Sequence, residues 1–129
     1  MKCQEIYDMA LVLINENANN SDTQDLEARA PLLIWATCVE LADLNFWYCS
    51  QFYGYAIERG TPIPKITSLD DEFPLHSRFV SVVAYALGKL LMNEENVTLS
   101  NKLDTLYAQQ IAQIKAETPV DIKPIINKY

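Results

Sequence analysis

Apolar residues fall into four periodic runs along this chain, and the polar stretches between them mark where it turns. Ile6, Met9, Ala10, Leu13 and Ile14 recur at spacings of three and four, which predicts an amphipathic first helix over Gln4 to Asn17. The stretch Asn15 to Asn20 ends it, because asparagine side chains compete for backbone hydrogen bonds. Ser21 with Gln24 three residues on has the form of a capping box, and Asp22 and Asp25 suit a first turn, so a second helix is expected from about Asp22 to Tyr48. Pro31 removes one backbone donor inside it, which predicts a kink between Glu27 and Pro31 or a restart at Pro31. Beyond Pro31 the pattern is apolar nearly all round (Leu32, Leu33, Trp35, Ala36, Val39, Leu41, Ala42, Phe46), as in a central core helix or a subunit interface.

Gln51 to Lys65 breaks the helical period with Gly54, Gly60, Pro62 and Pro64. Tyr53 to Ile57 is extended in character and can pair across Glu58-Arg59-Gly60 with Thr61 to Ile66, although two prolines restrict that to an irregular edge hairpin. The stretch Ile66 to Met92 organises the rest. Asp70, Asp71 and Glu72 are expected just ahead of a third helix, where negative charge favours the helix dipole, and Pro74 fits its first turn. That helix is expected over Leu75 to Asn93. Phe79, Val83, Leu87, Leu90 and Leu91 share one face, and Val80, Ala84 and Tyr85 widen it until most sides are apolar. Gly88 in mid-helix marks a close approach by another helix. After the polar joint Glu94-Glu95-Asn96, a last helix is expected over Val97 to Glu117. Leu99, Leu103, Leu106, Tyr107, Ile111 and Ile114 form its stripe, and Lys102, Asp104, Gln109, Gln110, Gln113 and Lys115 face outward. Thr118 precedes Pro119 and is pushed out of helical geometry. The fold expected is therefore an all-α bundle of about four helices. Residues 1–117 form a single domain, and 118–129 form an extended C-terminal tail.

Composition narrows the function. The 129 residues carry a net charge of −7 with a pI near 4.5, which disfavours tight binding along a nucleic-acid backbone. Half the residues are apolar, enough for a core without metal or disulfide support. Cys3, Cys38 and Cys49 form no CxxC pair and read as reduced thiols of a cytoplasmic protein. Glu5 and Asp8 interrupt the start where an export signal would be apolar. Ala30 to Cys49 has the length of a membrane span. It carries Glu40, Asp43 and Asn45, however, and each charge at a bilayer centre costs about 2.5–3.5 kcal/mol, so a buried helix is expected and no membrane contact.

Little in the chain points to catalysis. Asp70-Asp71-Glu72 is half of a magnesium site at most, and no ExxE or DxxxD pattern supplies the other oxygens. His76 is alone, so a multi-histidine zinc site is excluded and a capping or surface role is expected. Cys38 lies in the most apolar helix, where a thiol behaves as a small hydrophobe. There is no Gly-rich phosphate loop and no GxSxG. Accordingly no catalytic residue, metal or cofactor is expected. Two features point instead to partners. The cluster Phe46, Trp47, Tyr48, Phe52, Tyr53 and Tyr55 is either core or interface, since Trp and Tyr are enriched at binding hot spots. Trp47, Tyr53 and Tyr55, with Leu69, Asp70 and Asp71, are the candidate subunit interface. Val120, Ile122, Pro124, Ile125, Ile126 and Tyr129 make the tail too apolar for an idle terminus, and its prolines lower the entropy lost on docking.

Three stretches carry a resemblance to a known family. They are Glu27-Ala28-Arg29-Ala30-Pro31-Leu32-Leu33-Ile34 continuing to Glu40-Leu41, Ile66-Thr67-Ser68-Leu69-Asp70-Asp71-Glu72-Phe73-Pro74-Leu75, and Val83-Ala84-Tyr85-Ala86-Leu87-Gly88-Lys89-Leu90-Leu91 followed by Asn93-Glu94-Glu95-Asn96. With the final helix they span most of the chain. In this order they resemble the small head–tail connector, or adaptor, proteins of tailed bacteriophages and prophages. The family's Tyr-Gly-Leu arrangement is stretched here over Tyr85 and Gly88.

The resemblance implies a virion structural protein without enzymatic activity, made in the host bacterial cytoplasm. It implies a ring, commonly dodecameric, that sits beneath the portal protein, meets a tail-side connector and extends the DNA channel without gripping DNA. It also implies that the C-terminal segment docks on the portal, which maps onto Thr118 to Tyr129. Two other classes remain open at this point. One is a cytoplasmic all-α regulatory or protein-binding module, dimeric through the aromatic cluster. The other is a small metal-dependent hydrolase using Asp70, Asp71, Glu72 and Glu94 or Glu95.

Overall fold

The computed structural model describes residues 1–14, 23–52 and 58–118. It is an all-α bundle of four helices: α1 (Cys3–Leu13), α2 (Thr23–Cys49), α3 (Val80–Leu91) and α4 (Val97–Glu117), with a 3-10 turn (Ser77–Phe79) leading into α3. No helix among the described residues is long and apolar enough to cross a membrane.

The helix at the centre is α3. Val82, Val83, Ala84, Ala86, Leu87, Gly88 and Leu91 are all buried, and α1, α2 and α4 each pack against it. Of the two places expected for α2, a central core helix or a subunit interface, the central one is taken by α3. α2 buries one face through Leu26, Ala30, Ile34, Cys38, Leu41 and Tyr48, while Leu32 and Val39 on the opposite face stand exposed. An all-round apolar pattern shows that a helix wants two covered faces; it does not show that its own chain covers both.

Gly88 is where the bundle is tightest. A β-carbon there would lie 3.0 Å from Leu103 Cδ1 of α4 and 3.3 Å from Ile14 Cγ2 at the end of α1. The close approach expected from the sequence is thus met from two sides. Beyond it, the Asn96 carboxamide caps α4 by accepting from the Leu99 N–H at 3.0 Å. The buried Ser100 hydroxyl donates to the Lys89 carbonyl at 2.9 Å, which ties α4 back to the end of α3.

The acidic turn serves a different helix from the one expected. The 3-10 turn starts only at Ser77, so Asp70, Asp71 and Glu72 lie ahead of the helical path, as expected, and Pro74 precedes its first turn. The turn faces α1 instead. The Cys3 and Gln4 N–H groups, which the first helical turn leaves without internal acceptors, donate to the carbonyls of Asp71 (2.9 Å) and Leu69 (2.8 Å). Phe73 N–H returns a bond to the Met1 carbonyl at 2.8 Å, and Lys2 and Glu72 form a single antiparallel bridge. The Glu72 carboxylate lies 3.1 Å from the Met1 ammonium and 3.3 Å from Lys2 Nζ. Asp71 accepts from the N–H groups of Thr67 (2.9 Å) and Ser68 (3.1 Å) and closes the turn on itself. At the start of the 3-10 turn the cap is His76, whose Nδ1 accepts from the Arg78 N–H at 3.0 Å. The capping role expected of His76 is met, and the helical path begins at Ser77 rather than at Leu75.

Smaller differences follow. α2 runs through Pro31 without a restart. In the expected hairpin, Tyr53 to Ile57 lie outside the described residues, and Thr61 to Ile66 adopt no strand, as Pro62 and Pro64 dictate. The first helix ends at Leu13, short of the expected Asn17, and the stretch from 15 to 20 and the capping residues Ser21 and Asp22 lie outside the described residues. The last helix matches its expected bounds, and Thr118, assigned to the tail, is buried against the bundle.

Two outcomes are expected. Gly88→Ala gains up to about 1 kcal/mol of helix propensity and loses a similar amount to crowding, so urea unfolding should place it within about 1 kcal/mol of the parent. Gly88→Val, with two more methyls in that gap, should lose about 1–3 kcal/mol. The carboxyls of Asp71 and Glu72 are held below their usual range, Asp71 chiefly by the Thr67 and Ser68 amides and Glu72 chiefly by the terminal ammonium and Lys2. The stability they contribute is present at neutral pH and lost as pH falls through those lowered values, below the ordinary carboxylate range. Asp71→Asn should therefore lower Tm at pH 7 and flatten the acid limb of a Tm-against-pH curve.

Candidate interaction surface

The exposed side of α2 is built on one spacing. Ala28, Leu32, Trp35, Val39, Ala42 and Phe46 follow one another at four, three, four, three and four residues, the repeat of a coiled-coil seam. Leu32 is 55 % and Val39 46 % exposed, while Trp35, Ala42 and Phe46 are half-buried. The half-buried members lean on the segment after α2. Val39, Ala42 and Phe46 form one wall of a groove of about 410 Å³, and Pro62, Ile63 and Pro64 form the other.

Long-range bonds fix that second wall. The Trp35 indole N–H donates to the Ile63 carbonyl at 3.2 Å, and Lys65 Nζ lies 5.9 Å from the centre of the Trp35 ring. Arg59 reaches back to Asp43, with Nε 2.9 Å from Oδ1, and its guanidinium covers the Trp47 ring at 5.1 Å. Gly60 makes the intervening turn at φ +85°, a conformation side-chain-bearing residues seldom adopt.

The aromatic cluster divides between core and surface. Tyr48 is buried with its ring edge against Phe79 (5.9 Å) and His76 (5.1 Å), and Phe52 stacks on His76 at 5.3 Å. Trp47 is half-buried, edge-on to Phe46 at 5.1 Å, on the flank of the seam. The four described members of the candidate interface, Trp47, Leu69, Asp70 and Asp71, do not form one exposed patch. Leu69 is buried in the chain's own core, and Asp71 is taken up by its turn. Asp70 is exposed beside a separate cleft with Glu27 and Pro31. Tyr53 and Tyr55 lie outside the described residues, as do Val120, Ile122, Pro124, Ile125, Ile126 and Tyr129 of the tail. The root of that tail is described. Arg78 grips Glu117 with two bonds of 3.0 Å and touches Gln110 at 3.4 Å, and Thr118 is buried beside them. Neither clamp, Arg59 to Asp43 nor Arg78 to Glu117, was legible in sequence, because each joins residues far apart along the chain.

Groups that look reactive in the sequence are held by the fold. Cys3 and Cys38 have no exposure, and burial pushes their thiols up to about 11 and about 12. Burial, then the neighbouring Glu40, pushes the Tyr107 hydroxyl up to about 12. His76 is engaged as a cap and in ring contacts. Glu94 and Glu95 border a cleft with Arg29 that Asp70, Asp71 and Glu72 do not line. Among the described residues no three His, Cys, Asp or Glu side chains are placed to hold one metal ion.

Protonated, buried thiols make poor nucleophiles. The folded chain at pH 8 should leave Cys3, Cys38 and Cys49 unmodified by an aromatic disulfide reagent over minutes, and all of them should react once urea is added. Fast modification of any one in the folded chain contradicts this placement.

Comparisons with protein-family models, with curated proteins and with solved structures found no match for this chain.

Proposed function

We propose that this chain is a head–tail adaptor of a tailed bacteriophage or prophage, a virion structural protein that joins other copies of itself in a ring beneath the portal. The observation that carries the reading is where apolar surface is left over. The bundle closes its own core around α3, yet α2 keeps Leu32 and Val39 in water. The sequence that follows the Arg78–Glu117 clamp, Pro119 to Tyr129, is also rich in apolar residues. A protein whose excess apolar residues lie outside its core, and whose cysteines, histidine and acidic turn serve its architecture, is suited to assembly rather than to chemistry.

In this reading the C-terminal segment docks on the portal, and a tail-side connector meets the opposite end of the ring. The acidic surface suits a channel that DNA must slide through, since like charge keeps phosphates from being gripped. The exposed face of α2 also fits the second reading, an all-α protein-binding module.

The test mixes portal rings encoded in the same genome with the full chain and with a chain ending at Thr118, which keeps the buried root intact. Complexes are separated by size with mass detection. The full chain should co-migrate with the portal in many copies and the shortened chain should not. If both bind equally, the tail is not the docking element. If neither binds at tens of micromolar, about 6 kcal/mol of affinity, the binding-module reading replaces the adaptor.

A further inference from the structure

We propose that in the unassembled protein a second copy of this chain covers the outer face of α2, the two helices lying antiparallel about a two-fold axis that passes between Trp35 and Ala36.

The seam matches itself in that register. Leu32 of each copy faces Val39 of the other, and the Trp35 ring faces the small Ala36. These are the pairs that bury the two most exposed apolar side chains of the helix. Ala36 at the centre lets the helices approach closely. Charge selects the direction. Arg29 falls opposite Ala42 of the second copy, one residue or about 1.5 Å along the axis from its Asp43. Each pair of helices thus gains two cross-copy Arg–Asp approaches. A parallel pairing in register sets Arg29 on Arg29, Asp43 on Asp43 and Asp25 on Asp25, three like-charge meetings. Arg29 and Asp43 are free enough to take part. Their side chains are 47 % and 59 % exposed, and their present partners, Asp25 and Arg59, are themselves exposed. Arg29 also borders the cleft of Glu94 and Glu95 and is held by no ion pair there within 4 Å.

From Ala28 to Phe46 the seam is about 27 Å long. One helix face of that length buries a few hundred square ångströms per copy, less than the roughly 800 Å² per partner of a stable complex. The pairing is therefore concentration-dependent. It also differs from a ring contact, which joins unlike faces of successive copies, whereas a two-fold contact closes on itself. The pair belongs to the free chain and would open on ring formation. It does not rest on the adaptor reading, and the two are tested on different mixtures.

Sedimentation equilibrium of the full chain, from about 10 µM to about 1 mM, reads the outcome. The mass should climb from 14.7 kDa toward twice that value. Val39→Glu and Leu32→Glu should each hold it at the monomer throughout, with Tm in dilute solution unchanged for Leu32→Glu, the more exposed position. Arg29→Asp, which sets a carboxylate against Asp43 of the second copy and leaves the Arg59–Asp43 clamp in place, should weaken pairing at least tenfold, and Arg29→Lys should retain it. A monomer at every concentration overturns the proposal. So does a dimer or larger ring insensitive to Leu32→Glu, or pairing unchanged by Arg29→Asp.

Discussion

The close passage of α3 between α4 and the end of α1 at Gly88 is the constraint on which the architecture depends. With a glycine there, Leu103 and Ile14 close over the backbone of α3 from two directions. This lets a helix of twelve residues serve as the common core of the other three. A glycine in mid-helix costs up to about 1 kcal/mol of propensity against alanine. α1, α2 and α4 each pack against α3, whatever their lengths.

A second constraint holds α1 in place. Its first two N–H groups are satisfied by carbonyls of the acidic turn some seventy residues away, and the charges of that turn meet the terminal ammonium and Lys2. An acidic stretch next to a helix start is stabilising whichever helix it faces. Sequence shows the stretch and its charge. Only the tertiary structure shows that the helix it serves is α1, the one at the far end of the sequence. The Arg78–Glu117 clamp works similarly at the other end of α4, where it fixes the point from which the C-terminal segment departs.

Much of this fold can be read from the chain. The four-helix all-α class, the bounds of α4, the stripe of α3 and the tight spot at Gly88 all follow from period and propensity. The failures share a cause. α3 starts at Val80 with no side-chain cap, so no local signal marks its first residue, and the partners of the acidic turn are distant in sequence. For α2 the pattern leaves a core place and an interface place both open, because periodicity reports how apolar a helix is and not what covers it. Candidate sites were less legible than the fold. Trp47 is half-buried and Asp70 exposed, whereas Leu69 lies in the core through packing that no local pattern announces.

The account's central claim is that α3 is the structural hub and that partners are met only from the outside, by α2 and the segment after Thr118. Amide hydrogen exchange of the free chain and of the chain mixed with portal rings measures both halves at once. The account predicts that residues 82–91 exchange slowest in both samples, through global unfolding only. It also predicts that the protection gained with the portal falls on residues beyond Thr118 and not on α3. Faster exchange in α3 than in α4, or gained protection confined to α1 and the acidic turn, would contradict it.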